Sequence, residues 1–296
     1  MSKSVLTGAM EAPPRVTEWQ RFRRVFFGRK IVVFGTAIIG LLVFAAIFAP
    51  WLAPYDPVKI SLTERLQGPS WAHWLGTDNY GRDTLSRLIY GARTSLFVGL
   101  TSVGLASVVG MVLGGMAAYY GGWFGATVMR VMDALMALPV VVLALVVAAL
   151  LGGGLWNVIF ALSVSQVPEY ARLMAGQVRS VKENDYITAV RSLGAKDSRI
   201  MFGHLFPNSF APLIVQFTLQ VGSTILGEAI LSFLGIGITP PTAAWGAMIS
   251  NARDYLLQQP IMSIVPGLAI MLTVFAFNMV GDGLRDALDP RLRGRL

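Results

Sequence analysis

The chain has 296 residues, of which 54% are apolar and only 14% charged, with a formal net charge of +8 and a mean hydropathy of +0.61. Soluble domains carry about a quarter charged residues, so these values exclude an ordinary soluble fold, a disordered chain, collagen and a coiled coil, and leave an integral membrane protein. The basic excess does not mark a nucleic-acid partner, because the lysines and arginines sit between apolar blocks, and with no cysteine there is neither a disulfide framework nor a thiolate metal site.

Residues 1–30 read as a basic tail in which Trp19, Phe22 and Phe26 recur at helical spacing while Arg21 and Arg24 face away. That pattern predicts an amphipathic helix in the headgroup layer, the plainer alternative being a solvated basic tail. No small-residue cleavage site follows a short apolar core, so 31–53 reads as a retained first span. At about 1.5 Å per residue this segment is roughly 34 Å long, enough to cross a hydrocarbon core of about 30 Å. Apolar windows at 95–119, 128–151, 155–173, 210–234 and 261–280 bring the expected fold to six transmembrane helices, all α. The fourth window is interrupted by Pro168 and Glu169, tolerated only where neighbours or a water-filled cavity re-satisfy the backbone.

Six spans place both termini on one side, and the basic residues say which. Seven lie in the N-terminal tail, six between the fourth and fifth spans and four in the C-terminal tail, with Arg130 near the second connection; the other side holds Lys59, Arg65, Arg82, Arg87, Arg93 and Arg253. Both termini are therefore expected in the cytoplasm. A six-helix domain at 31–283 would have outer loops at 54–94 and 235–260, an inner loop at 174–209 and a cytoplasmic tail at 284–296.

Along the second span Ser102, Ala106, Gly110, Gly114 and Ala118 recur every four residues, a small-residue stripe that lets another helix approach closely in lipid. Three acids fall within or near spans, and an ionised carboxylate there needs a partner, a cavity or an aqueous path. Asp133 has Arg130 three residues before it and Glu169 has Arg172 three residues after it, so local ion pairs are expected. Glu228 has no basic neighbour on its helix, which leaves either a place on a translocation path or neighbouring subunit, or a buried hydrogen-bonded one.

The segment NDYITAVRSLGAKDSRIMFGHLFPN at 184–208 predicts a short helix at 185–193, stopped by Gly194, and a second basic helix ended by Pro207. From periodicity alone it is either a coupling element or an ordinary amphipathic hairpin. It resembles the coupling loop of ATP-binding-cassette importer permeases, whose pattern runs Glu-Ala-Ala, three residues, Gly, nine residues, Ile, one residue, Leu-Pro. The matching positions are Thr188, Ala189, Val190, Gly194, His204, Phe206 and Pro207, with Thr188 standing where the pattern has its acid. Arg191, Gly194, Ala195, His204, Pro207 and Asn208 resemble the variant in the peptide-importer branch, which has an R-x-x-G-A core and an H-x-x-P-N ending. LGTDNYGRDTLSRLIYGARTSL at 75–96, ILSFLGIGITPPTAAWGAMI at 230–249 and FNMVGDGLRDALDPRLR at 277–293 are similar to the C-type permease subunit of dipeptide and oligopeptide importers.

The resemblance implies the type I importer permease fold and ATPase coupling through Tyr186, Thr188, Ala189, Arg191, Gly194, Ala195, His204 and Pro207. It also implies a second, B-type permease as heterodimeric partner, two ATP-binding subunits and a periplasmic substrate-binding protein, with ATP and Mg bound by the ATPase subunits and no cofactor on this chain. Physically, Asp83 can cap a short helix through Tyr90 lying on the outer face, and Asp78, Arg82 and Asp83 are then either a gate or binding-protein contact or part of a structural lid. Pro240 and Pro241 should stop the fifth helix and return 242–259 along the outer surface, with Trp245 at the interface.

No G-x-x-x-x-G-K-[ST] loop occurs, so the chain is not expected to bind ATP. His73, in WAHW, reads as surface or aromatic-packed, and with His204 it is the only histidine, which argues against a catalytic centre. The leading expectation is a non-enzymatic transport subunit moving di- or oligopeptides inward. An ion-coupled carrier relaying protons through Asp133, Glu169 and Glu228, or a non-transporting scaffold, are the other two classes.

Overall fold

The computed structural model describes residues 17–288, and among these every regular element is helical. The parts of the expected tails outside that range, 1–16 and 289–296, lie beyond the described residues. α1 (Glu18–Gly28) opens on Thr17 with a reciprocal cap: the Gln20 N–H donates to Thr17 Oγ1 and the Thr17 N–H to Gln20 Oε1. Trp19, Phe22 and Phe26 stack along it at centroid spacings of 5.7 and 5.5 Å. α2 (Lys30–Ile47) and a short α3 (Ala49–Leu52) follow.

α4 (Thr84–Tyr120) has 37 residues, about 56 Å at the α-helical rise, far more than the hydrocarbon core requires. The short helix expected before the second span is therefore its first turns. Asp83 caps this long helix through the Ser86 N–H at 2.7 Å.

α5 (Gly122–Met136) and α6 (Val140–Leu151) meet at 91°, so the expected third span is broken. The cause is Pro139, which has no N–H to continue the ladder and disfavours helical geometry before it. α7 (Leu155–Lys182) passes without a break through Pro168. α8 (Asp185–Ser192) follows after a two-residue break, with Ile187 its buried residue.

Next, α9 (Asp197–Ile200), a π-helical turn (Met201–Leu205) and α10 (Phe206–Phe233) join into one continuous helical run. Pro207 does not end a helix, contrary to expectation. It sits in the first turn of α10 just after the π turn, where a missing N–H costs least. α11 (Trp245–Ala252) lies in the connection to α12 (Ile261–Leu288), which overruns the expected end at 280 by two turns.

On length and apolarity four of these runs can cross a bilayer, namely α2, α4, residues 197–233 and α12, and α5 with α6 adds a bent fifth. α7 is long enough to be the sixth but carries Glu169, Arg172, Arg179 and Lys182.

The centre of the bundle is α4 against α7. The small-residue stripe is buried throughout, and a Cβ on Gly110 would lie 2.5 Å from Tyr170 Cβ and 2.7 Å from the Val167 carbonyl. At Gly114 it would collide with the Ala171 backbone itself, so these two helices touch main chain to main chain. Trp245 is buried, not interfacial: its Nε1–H donates to the Leu88 carbonyl at 3.0 Å and its ring fills the space a Cβ on Gly91 would need. α1 lies against α12, with Phe26 buried and Arg29 paired to Asp286 at 2.5 Å.

Candidate coupling surface and polar cleft

The 184–208 segment has a docked side and an open side. Ile187 is buried and Val190 and Ala195 pack half-buried on the core, whereas Tyr186, Thr188, Ala189, Arg191 and Gly194 are exposed and Leu193 is 87% exposed. Gly194 adopts φ +77°, its N–H donates to the Arg191 carbonyl at 2.9 Å and the Ala195 N–H to the Val190 carbonyl at 3.3 Å. This pair of bonds is a Schellman cap, and the left-handed φ is the reason glycine stands there. At the other end of the motif, Asn208 Nδ2 donates to the His204 carbonyl at 2.7 Å and to the Tyr186 hydroxyl at 3.2 Å. The His204-to-Asn208 ending is thereby tied to the start of α8.

What fastens the segment to the bundle is a residue the sequence did not single out. Tyr119, in the last turn of α4, donates its hydroxyl to Asp197 Oδ1 at 2.5 Å, and its carbonyl accepts from Lys182 Nζ at 2.8 Å. The Arg191 guanidinium sits 5.8 Å from the same ring. Tyr119 and Tyr120 close an apolar span, which reads as an ordinary aromatic belt, so the sequence alone does not separate anchor from belt.

Asp78, Arg82 and Asp83 lie at the opposite end and are all buried in this conformation. Asp78 Oδ2 accepts from Arg82 Nε at 2.7 Å with Arg87 Nε 3.6 Å away, and Asp78 Oδ1 accepts from the Tyr80 and Arg82 N–H groups. Asp83 accepts from the Ser86 N–H and hydroxyl and lies 2.9 Å from His73 Nδ1. Arg87 reaches the Pro57 carbonyl at 2.8 Å. Charges so enclosed need full pairing, and here the pairing staples the 54–83 loop onto α4. His73 is buried and aromatic-packed, its ring 4.7 Å from that of Tyr55.

The three membrane acids have separate partners, none of them the expected local arginine. Arg172 crosses from α7 to Asp133 on α5 at 2.5 Å. Glu169 is held by two glutamines of α10: Gln216 Nε2 donates to its Oε1 at 2.6 Å and Gln220 Nε2 to its Oε2. Gln216 and Gln220 stand one turn apart inside an apolar span, a polar pair visible in the sequence. Glu228 is completely buried in this chain; its Oε1 accepts from the Ser232 hydroxyl at 2.7 Å and Oε2 has no protein partner. In this conformation it faces neither a path nor an outer surface.

Beside Glu169 a cleft of about 680 Å³ opens between α7, α10 and α12, lined among others by Leu173, Gln177, Asn208, Gln216 and Arg285. Among the described residues no group of three or more His, Cys, Asp or Glu could hold a metal ion.

A bundle with a docked, glycine-capped helix at one end and a polar cleft inside is the architecture of an importer permease, and the comparisons agree. Residues 110–294 match the family model described as the binding-protein-dependent transport system inner membrane component, and residues 17–69 match the N-terminal TM domain of oligopeptide transport permease C. The chain belongs to this family of multi-pass inner-membrane permeases of ATP-binding-cassette importers. It is 41% identical to the dipeptide transport system permease protein DppC of Alkalihalophilus pseudofirmus, over 99% of this chain and 98% of that one. It is 43% identical to the glutathione transport system permease protein GsiD of Pectobacterium atrosepticum, over 94% and 92%. An inward-facing structure of the MetNI methionine ABC transporter superposes with a TM-score of 0.55 at 19% identity, over 69% of this chain and 96% of that one, which identifies the type I importer permease fold.

Proposed function

We propose that this chain is the C-type permease subunit of an ATP-driven importer of small peptides, of the dipeptide, oligopeptide or glutathione kind, working from periplasm to cytoplasm. The observation that carries the reading is the half-docked α8: one side is packed on the core through Ile187 and tied to Asn208 of α10 through Tyr186, while Ala189, Arg191 and, just past the helix, Leu193 are left open for another protein. The occupant is a separate ATP-binding subunit, one of two, on which ATP and Mg are bound and hydrolysed, and this chain performs no catalysis. A second, B-type permease completes the path and a periplasmic binding protein delivers the substrate. Both termini lie in the cytoplasm, on the side with most of the lysines and arginines.

In the transport cycle, ATP draws the ATPase subunits together and carries α8 with one of them. The free energy comes from tighter nucleotide binding to the closed arrangement, as any population shift requires. A proton relay through Asp133, Glu169 and Glu228 has no support, because each acid has its own partner and no chain of bonds joins them.

Because the chain has no cysteine, a single Ala189→Cys variant gives a clean crosslinking probe. A crosslink to an ATPase subunit in native membranes is expected; failure to reach any such neighbour would refute the coupling assignment. Growth of a deletion strain on single dipeptides, compared with its uptake of glutathione and nickel, assigns the substrate. Normal growth on every peptide, with another uptake lost, would refute the peptide reading.

A further inference from the structure

Glu169 is a half-buried carboxylate on α7 with hydrogen-bond donors but, among the described residues, no ion-pair partner. Its two nearest partners are the neutral amides of Gln216 and Gln220, and Gln220 is itself oriented by the Ser223 hydroxyl, which donates to its Oε1 at 2.8 Å. The one arginine within a turn, Arg172, is committed to Asp133. Two amide donors fix the position of a carboxylate without supplying a counter-charge, and an ionised carboxylate held among packed helices calls for a positive partner. The carboxylate is not sealed in: Gln216 also lines the cleft of about 680 Å³, and so does Leu173, one turn along α7 from Glu169. That volume is in the range of small-ligand sites. With one carboxylate and no cluster of metal ligands, the cation that fits is an N–H donor and not a metal ion.

We propose that Glu169, held by Gln216 and Gln220, is the station in the transport path that receives the α-ammonium group of the peptide. The assignment rests on the peptide-importer reading above and deepens it. The ammonium donates to the carboxylate lone pairs that the glutamines leave open, and the remainder of the peptide lies along the cleft between α7, α10 and α12. A free N-terminus is then preferred over a blocked one by the permease itself, in addition to any choice made by the binding protein.

The test uses the complete importer in proteoliposomes with ATP and its binding protein, comparing uptake of labelled Ala-Ala with that of N-acetyl-Ala-Ala. Since the binding protein is common to all samples, only the ratio of the two uptakes, variant against wild type, is read. Glu169→Gln is expected to lower Ala-Ala uptake by about tenfold or more, the order of one charge-assisted hydrogen bond. N-acetyl-Ala-Ala uptake, subunit composition and basal ATPase activity should stay unchanged. An unchanged ratio would overturn the proposal, and so would an equal fall for both peptides. Loss of the second permease from the complex, restored by Glu169→Asp, would assign the carboxylate to a cation of that subunit and overturn it as well. If Glu169→Gln fails to accumulate, Glu169→Asp carries the test: a lowered ratio supports the assignment and a wild-type ratio refutes it. A wild-type complex that imports neither peptide removes the peptide-importer reading itself, a result distinct from any change in the ratio.

Discussion

Gly194 is the position where the 184–208 segment can be perturbed by conformation alone. Its φ of +77° is left-handed, and a Cβ built there meets no heavy atom within 4 Å. Any penalty of substitution therefore comes from the backbone and none from crowding. For an ordinary L-residue that penalty is about 1–2 kcal/mol; it is smaller for Asn and larger for a β-branched residue. A cost of this size shifts the equilibrium for the native end of α8 by about 5- to 30-fold. The two bonds of the cap, Gly194 to Arg191 and Ala195 to Val190, are what that shift would break.

Uptake of labelled dipeptide by membrane vesicles, normalised to the amount of chain in the membrane, should fall in the order Gly, Asn, Ala, Val, with membrane insertion unchanged. The order separates shape from size, because Asn is larger than Ala and yet should be better tolerated. Wild-type uptake by Gly194→Val would refute the reasoning, as would a series that follows side-chain volume.

Gly114→Val should abolish accumulation of folded chain, because its added atoms meet the Ala171 backbone and α4 and α7 can only separate; Ser102→Ala on the same stripe, whose hydroxyl has no partner, should leave the thermal unfolding midpoint in detergent unchanged or raised. Trp245→Ala removes a buried ring and its bond to the Leu88 carbonyl, and should cost about 3–5 kcal/mol, seen as a lowered midpoint in the same assay. Glu228→Gln should preserve assembly and KM, since the side chain is enclosed and one oxygen already lacks a partner; a changed KM with normal assembly would place it on the path in another conformation.

The helical bundle and its crowded centre were legible because both are written in period and size. Windows of apolar residues locate α2, α4, α10 and α12, and the four-residue stripe of small side chains identifies the face by which α4 meets α7. The sequence misled where a polar group's partner is distant in the chain. Arg172 looked like the mate of Glu169 three residues away but reaches 39 positions back to Asp133, and Glu169 is taken up by glutamines 47 and 51 positions on. Local spacing favours an i,i+3 pair by only a few tenths of a kcal/mol, which tertiary packing readily overrides. The burial of Asp78, Arg82 and Asp83 was hidden for the opposite reason. A cluster of charges reads as surface until its own mutual pairing, here with Arg87 and His73, is seen to bury it.

The same contacts that the sequence hid determine how a push on α8 would travel. The chain on either side of α8 converges on Tyr119: its hydroxyl holds Asp197 and its carbonyl holds Lys182. Those bonds join the end of α4, the end of α7 and the start of the run into α10 at one residue. Beyond it, α4 and α7 touch main chain to main chain around Gly110 and Gly114, with no side-chain layer between them to yield. The π turn at Met201–Leu205 is the place in the coupling segment where the helical ladder changes pitch, and so where α10 can take up a different angle. Tyr119→Phe tests this route, since it keeps the ring and its packing but releases Asp197. ATP hydrolysis by the complex should continue while peptide import per ATP falls. Import that stays in step with hydrolysis would show that force enters α4 by another contact.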